Sequence, residues 1–169
     1  MGGGPADRRT DGSTDRRPAD PPTRPTDLPS NGRLLCIDPG TKRIGLAISD
    51  PTQTVSQPLA TLTRRAGRRF PLSALRPLLE AHRPVGVVIG LPLEPSGREG
   101  PAAAAARVAG DLVSGKTGLP VAYVDERMST ARARRAADNV PRRARPSPDA
   151  VDRMAATVIL QAFLDRRRA

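Results

Sequence analysis

Aromatic side chains are nearly absent from this sequence, with two Phe, one Tyr and no Trp among 169 residues. Phe70, Tyr123 and Phe163 each fall inside an apolar pattern, so none is spare to form the exposed platforms on which base-stacking modules depend. A single cysteine, Cys36, excludes an internal disulfide, and its place in an apolar run makes it a small core residue. No stretch approaches membrane-spanning length, and neither a signal peptide nor a myristoylation pattern is visible at the N-terminus. These absences lead us to expect a soluble, cytoplasmic chain. If it meets nucleic acid, it does so through phosphates or through metal.

Lysine is also scarce, two against 26 arginines, yet the net charge is +11. The first 31 residues carry five Arg and five Asp, which cancel, so the whole excess belongs to residues 32–169. A domain this basic suggests a polyanionic partner such as nucleic acid, a solvated basic surface being the alternative. The same 31 residues are rich in Pro, Gly, Asp, Arg and Thr and show no apolar periodicity. They are expected to form a disordered tail, since they cannot bury enough apolar surface to offset their ordering entropy. That leaves one domain, residues 32–169.

Within it, short apolar runs at 33–37 (RLLCI), 44–49 (IGLAIS) and 59–63 read as three strands in an antiparallel meander. Residues 71–82 have helical spacing despite Pro77, and 85–89 (VGVVI) reads as a buried strand. An Ala-rich helix follows over 101–113, a strand over 121–124, and helices over 130–139 and 149–167. The order β-β-β-α-β-α-β-α-α describes an α/β fold: a mixed five-stranded sheet, three antiparallel strands plus two parallel ones, flanked by helices.

Three acids occupy suggestive positions. Asp38 ends the first strand in DPGTKR, Glu126 follows the last strand in VDERMST, and Asp152 lies early in the final helix. Strand ends are where open sheets of this kind place ligands. Carboxylates brought together repel unless a cation neutralises them, and an all-oxygen set with an open face suits Mg²⁺ or Mn²⁺. Gly40 would admit a substrate backbone, and Lys42 and Arg43 are candidate phosphate contacts. Each acid alone is equally readable as an ordinary turn or loop residue. Together, the strings LLCIDPGTKRIGLAISD, VVIGLPLEPSGREGP, VDERMST and VDRMAATVIL resemble, in order and spacing, the YqgF/RuvX family. Its members are RNase H-like nucleases associated with pre-16S ribosomal RNA processing and with Holliday-junction resolution. The resemblance spans Leu34 to about Leu164 and implies that Asp38, Glu126 and Asp152 are the catalytic, metal-holding acids. Met128 replaces the usual Leu, and the N-terminal tail is not a family feature.

Other motifs compete for attention. Residues 110–117 (GDLVSGKT) match the phosphate-binding P-loop letter for letter, but a helix precedes them and a strand follows, the reverse of the working order. Ser147, Pro148 and Asp149 read as helix cap, first helical residue and dipole-compensating acid, which leaves Asp152 for metal. Strand alternation turns Asp125 away from Glu126. Gly97 and Gly100 either make turns or belong to a substrate-contacting loop. Arg142, Arg143 and Arg145, in the loop entering the last helix, read as a nucleic-acid-binding phosphate clamp or as a solvated basic connector. The leading expectation is a metal-dependent nuclease of structured precursor ribosomal RNA, with ribosomal precursor particles as possible partners. Its rivals are a DNA junction resolvase, which needs a two-fold dimer, and a non-catalytic RNA-binding assembly factor. Monomer and homodimer both stay open, and the intact set of three acids speaks against the non-catalytic reading.

Overall fold

The computed structural model describes residues 27–64, 69–126 and 147–169. The helix expected over 130–139, the basic residues Arg142, Arg143 and Arg145, and residues 1–26 of the expected tail lie outside them.

The described elements are β1 (Leu34–Pro39), β2 (Arg43–Ser49), β3 (Ser56–Thr63), α1 (Leu72–His82), β4 (Gly86–Leu91), α2 (Pro101–Thr117), β5 (Val121–Asp125) and α3 (Pro148–Arg168). Five strands form one sheet in the order β3-β2-β1-β4-β5. β1 pairs antiparallel with β2 and parallel with β4, β2 pairs antiparallel with β3, and β4 pairs parallel with β5. The mixed α/β architecture expected from the sequence is the one observed. β3 starts earlier than its apolar run indicated, because polar Ser56 and Gln57 pair with β2. α2 likewise runs past Val113 to Thr117 and ends at Gly118, which adopts the left-handed conformation of a helix stop.

β1 lies at the centre because both of its faces are apolar. Leu35 and Ile37 join a core with residues of β2, β4, α1 and α2, including Leu75 and Val113. Leu34 and Cys36 join a second core with Ile159, Leu160, Phe163 and Leu164 of α3. One layer of helix therefore covers each face. α2 approaches closely because its inner stripe is small, at Ala103, Ala106, Ala109 and Gly110. A Cβ at Gly110 would overlap the Tyr123 hydroxyl. All three aromatics are committed to packing: Phe70 and Phe163 are buried, and Tyr123 donates to the Arg107 carbonyl beneath the Arg107 guanidinium. The P-loop-like string 110–117 lies wholly within α2, so its amides are spent on helical bonds and form no phosphate cradle.

The chain is packed from Leu28 on, ahead of the boundary drawn at residue 32. Leu28 is buried in the α3-side core, and Arg167 donates to the carbonyls of Leu28 (2.8 Å) and Pro29 (3.2 Å). Gln53, held at positive φ, donates to Pro29 and Gly32 and accepts from Arg167. One leucine in a Pro-rich stretch carries no periodicity, which is why composition alone missed this anchor. Among the described residues, no helix is long and apolar enough to cross a membrane.

α3 approaches the sheet closely at Gly45, where an added Cβ would run into the backbone carbonyl of Asp152. Gly45→Ala should therefore lower stability by about 1–3 kcal/mol, since backbone cannot yield as a side chain does. Gly115→Ala meets nothing within 4 Å and should gain up to about 1 kcal/mol of helix propensity. Urea titration of both variants checks the pair; equal effects would mean α3 is not seated as described.

Candidate active site

The acids are brought together by strand alternation and two glycines. Asp38 faces the same side of β1 as Leu34 and Cys36, the side covered by α3. Its register partner on β2 is Gly45, and the backbone of Asp152 lies directly over that glycine. On β1's other side, Ile37 pairs with Ile89 of β4, and the next β4 residue is Gly90. A Cβ on Gly90 would overlap the carboxylate of Glu126. Glu126 follows β5 on the face of Ala122 and Val124, which belong to the α3-side core. Asp125, one residue earlier, falls with Tyr123 on the opposite side. β1, the residue after β5, and α3 thus each deliver one acid to the carboxyl edge of the central strands.

Asp38 and Glu126 are joined by a side-chain hydrogen bond that depresses Asp38 and raises Glu126, so the Glu126 carboxyl is the donor. Burial pushes Asp38 up to about 6, against the opposing effect of that bond, with the charge of Asp152 raising it further. Burial, the Asp38 charge and the hydrogen bond push Glu126 up to about 8. The two acids share one proton at neutral pH. The Cys36 thiol below is raised by burial first and by these two carboxyls next. Asp152 is held differently: Arg43 Nε donates to its Oδ2 at 2.5 Å, and Asp149 Oδ1 lies 3.7 Å from the same nitrogen. Arg43, expected at a phosphate, is thus engaged with the third acid. Lys42 is exposed in the β1–β2 turn. Ser147 caps α3 by accepting from Ala150 N at 3.3 Å, with Asp149 in the first turn.

The segment after β4 is an ordered hairpin-like loop. Leu93 and Glu99 form a bridge, Glu94 N donates to Arg98 O at 2.9 Å, and Gly97 turns at positive φ. Arg107 grips Glu99 through Nε, at 2.7 and 3.0 Å from the two carboxylate oxygens. Gly97 therefore makes the turn, and Gly100 caps α2 in extended conformation.

The model of the RuvX Holliday junction resolvase family matches residues 32–166. The chain belongs to the RuvX family. A relative from Phenylobacterium zucineum is 42% identical over 147 residues, covering 85% of this chain and 93% of that one. Another, from Koribacter versatilis, is 40% identical over 137 residues, covering 81% and 89%. Both are named pre-16S rRNA nuclease. Among solved structures, T. thermophilus RuvC in complex with a Holliday junction substrate matches with a TM-score of 0.51 at 18% identity, covering 82% of this chain and 97% of that one. The likeness to RuvC establishes an RNase H-like fold for this RuvX chain.

The acids of this RuvX chain fit a divalent cation on chemical grounds. All are hard oxygen donors, and the raised pair carries an electrostatic load that a cation would relieve. Among the described residues, though, no three acid, His or Cys side chains already converge as a cage, and Asp152 is engaged with Arg43 through Oδ2. The sequence reading passed over Gly45 and Gly90, although a glycine inside a strand pattern is the usual mark of close approach.

The shared proton predicts how the cation-free RuvX chain responds to pH. Both pKa values are raised in the fold, so between about pH 4 and 8 the folded state binds more protons than the unfolded one. Stability contributed by the pair is then present at low pH and lost as pH rises. Glu126→Gln should match the wild type near pH 4 in chelator and outlast it increasingly toward pH 8. Melting curves across that range test this; a gap that closes with rising pH would contradict the shared proton.

Proposed function

We infer that this RuvX chain hydrolyses phosphodiester bonds of structured RNA in the cytoplasm, at the 5′ end of pre-16S rRNA, with Asp38, Glu126 and Asp152 as its metal-holding catalytic acids. The observation that supports it most is the placement of the three acids at the edge of the central strands: Asp38 opposite Gly45, over which the Asp152 backbone lies, and the Glu126 carboxylate against Gly90. Mg²⁺ or Mn²⁺ held there would supply a nucleophilic water and stabilise the leaving oxygen. The chain's own part is to release the shared proton, present the carboxylate oxygens and bring phosphates to them. Lys42, Arg43, Arg142, Arg143 and Arg145 are the groups assigned to those phosphates. With Phe70 and Phe163 buried and Tyr123 covered by Arg107, binding through phosphates and shape is the mode left to it.

The family description, Holliday junction resolvase, favours a second reading, resolution of branched DNA, for which a homodimer would supply the two-fold symmetry. A non-catalytic assembly factor would have no use for a costly buried carboxyl pair.

Cleavage of a pre-16S RNA fragment and of four-way DNA, side by side in Mn²⁺ and in chelator, separates these readings. RNA cleavage should need the metal. Asp152→Asn should lower it at least about a hundredfold, while Asp149→Asn, at the more exposed carboxylate, should spare it. Activity surviving chelation would overturn the metal reading, and cleavage of the four-way DNA alone would favour the second.

A further inference from the structure

Arg43 stands where cation and substrate would compete for it. It opens β2 at the carboxyl edge, in register with Thr63 of β3. Its Nε grips Asp152 Oδ2 at 2.5 Å, while 39% of its side chain is open to solvent. Asp152 is the acid that has not joined the Asp38–Glu126 pair. An arginine keeps its charge, so this half-exposed contact opens and re-forms in water, and a stronger counter-charge at Asp152 shifts that balance toward the open form. A cation shared with Asp38 would do so, and it would set free a planar, phosphate-matching guanidinium at the edge where substrate lies.

We propose that Arg43 is the counter-ion of Asp152 in the cation-free protein and, displaced when the acids take up a divalent cation, becomes a phosphate contact for the substrate. This rests on reading the three acids as a cation site. Arg43 then does two opposed things: it weakens cation binding, because it competes with the ion for Asp152, and it strengthens phosphate binding once displaced. Cation and nucleic acid bind cooperatively as a result, and the coupling is reciprocal. Without a cation, Arg43 also neutralises Asp152.

The rival role is a strap that fastens α3 to β2. The two roles differ in sign. Removing a strap would leave the cation site looser or unchanged, whereas removing a competing counter-ion tightens it. Lys42, the preceding residue, carries the same charge on the same turn and serves to separate a specific exchange from a general field.

The test uses the full chain, with free Mn²⁺ counted by electron paramagnetic resonance. Arg43→Gln should lower the Mn²⁺ dissociation constant about three- to fivefold, the change expected from freeing a partly exposed ion pair. Arg43→Lys, which keeps the charge but lacks the Nε donor, should fall between variant and wild type. Lys42→Gln should stay within about twofold of wild type, since exposed charges are largely screened. In parallel, the affinity for a short RNA hairpin is read by anisotropy, in chelator and in the first seconds after adding Mn²⁺. Wild type should gain affinity with Mn²⁺, while Arg43→Gln should gain less and match wild type in chelator. An unchanged or larger Mn²⁺ constant in Arg43→Gln would overturn the exchange and leave the strap. Equal tightening by Lys42→Gln would overturn it in favour of a general field. Should Arg43→Gln not fold, an Arg43→Lys constant no tighter than wild type would overturn it alone. Failure of the wild type to bind Mn²⁺ would remove the cation reading as well, which tells the two failures apart.

Discussion

The seating of α3 on Gly45 is the constraint on which the site depends. A helix backbone reaches a strand this closely only where the strand has no Cβ, and here that strand residue is the register partner of Asp38. The contact therefore fixes where Asp152 starts relative to Asp38. Gly90 performs the matching service on the other flank, leaving room for the carboxylate of Glu126. A side chain at either place would drive one acid away from the central strand. The antiparallel meander brings Gly45 to one side of β1 and the parallel crossover brings Gly90 to the other, so the mixed topology is what makes the convergence possible.

Convergence is costly, and the fold offsets it nearby. An ionised carboxyl buried without compensation costs several kcal/mol. The α3-side core lies directly below, where Ile159, Leu160, Phe163 and Leu164 are buried, each stabilising the fold by about 1.5–3 kcal/mol. That margin keeps α3 in place above acids that would otherwise push it away. The remaining load is removed locally: Asp38 and Glu126 share a proton, and Asp152 takes Arg43.

Much of this architecture could be read in the sequence, for reasons that differ between elements. β1 and β4 were legible because strands buried on both faces are unbroken apolar runs. The start of α3 was legible because Ser147, Pro148 and Asp149 form a cap that chemistry dictates. The acids are candidates because each stands beside a strand end or helix start, and the family resemblance gathers them into one set. What escaped detection depends on distance in space. The anchoring of Leu28 rests on Arg167 and Gln53, which are remote in the chain. The hold of Arg43 on Asp152 spans 109 residues. No local pattern separates an arginine that meets phosphate from one that neutralises an acid.

The basic charge gains meaning from what surrounds it. A surplus of arginine is ordinarily weak evidence for nucleic acid, because such residues also solvate a surface. Here, several of the arginines with known surroundings have structural duties: Arg167 fastens the N-terminal segment, Arg107 locks the loop after β4, and Arg43 holds Asp152. Lys42, exposed at the β1–β2 turn, follows the carboxyl end of β1, the strand that carries Asp38. A phosphate contact at Lys42, as proposed, reads backbone geometry and not bases, so on that reading discrimination among substrates comes from the shape of a folded RNA.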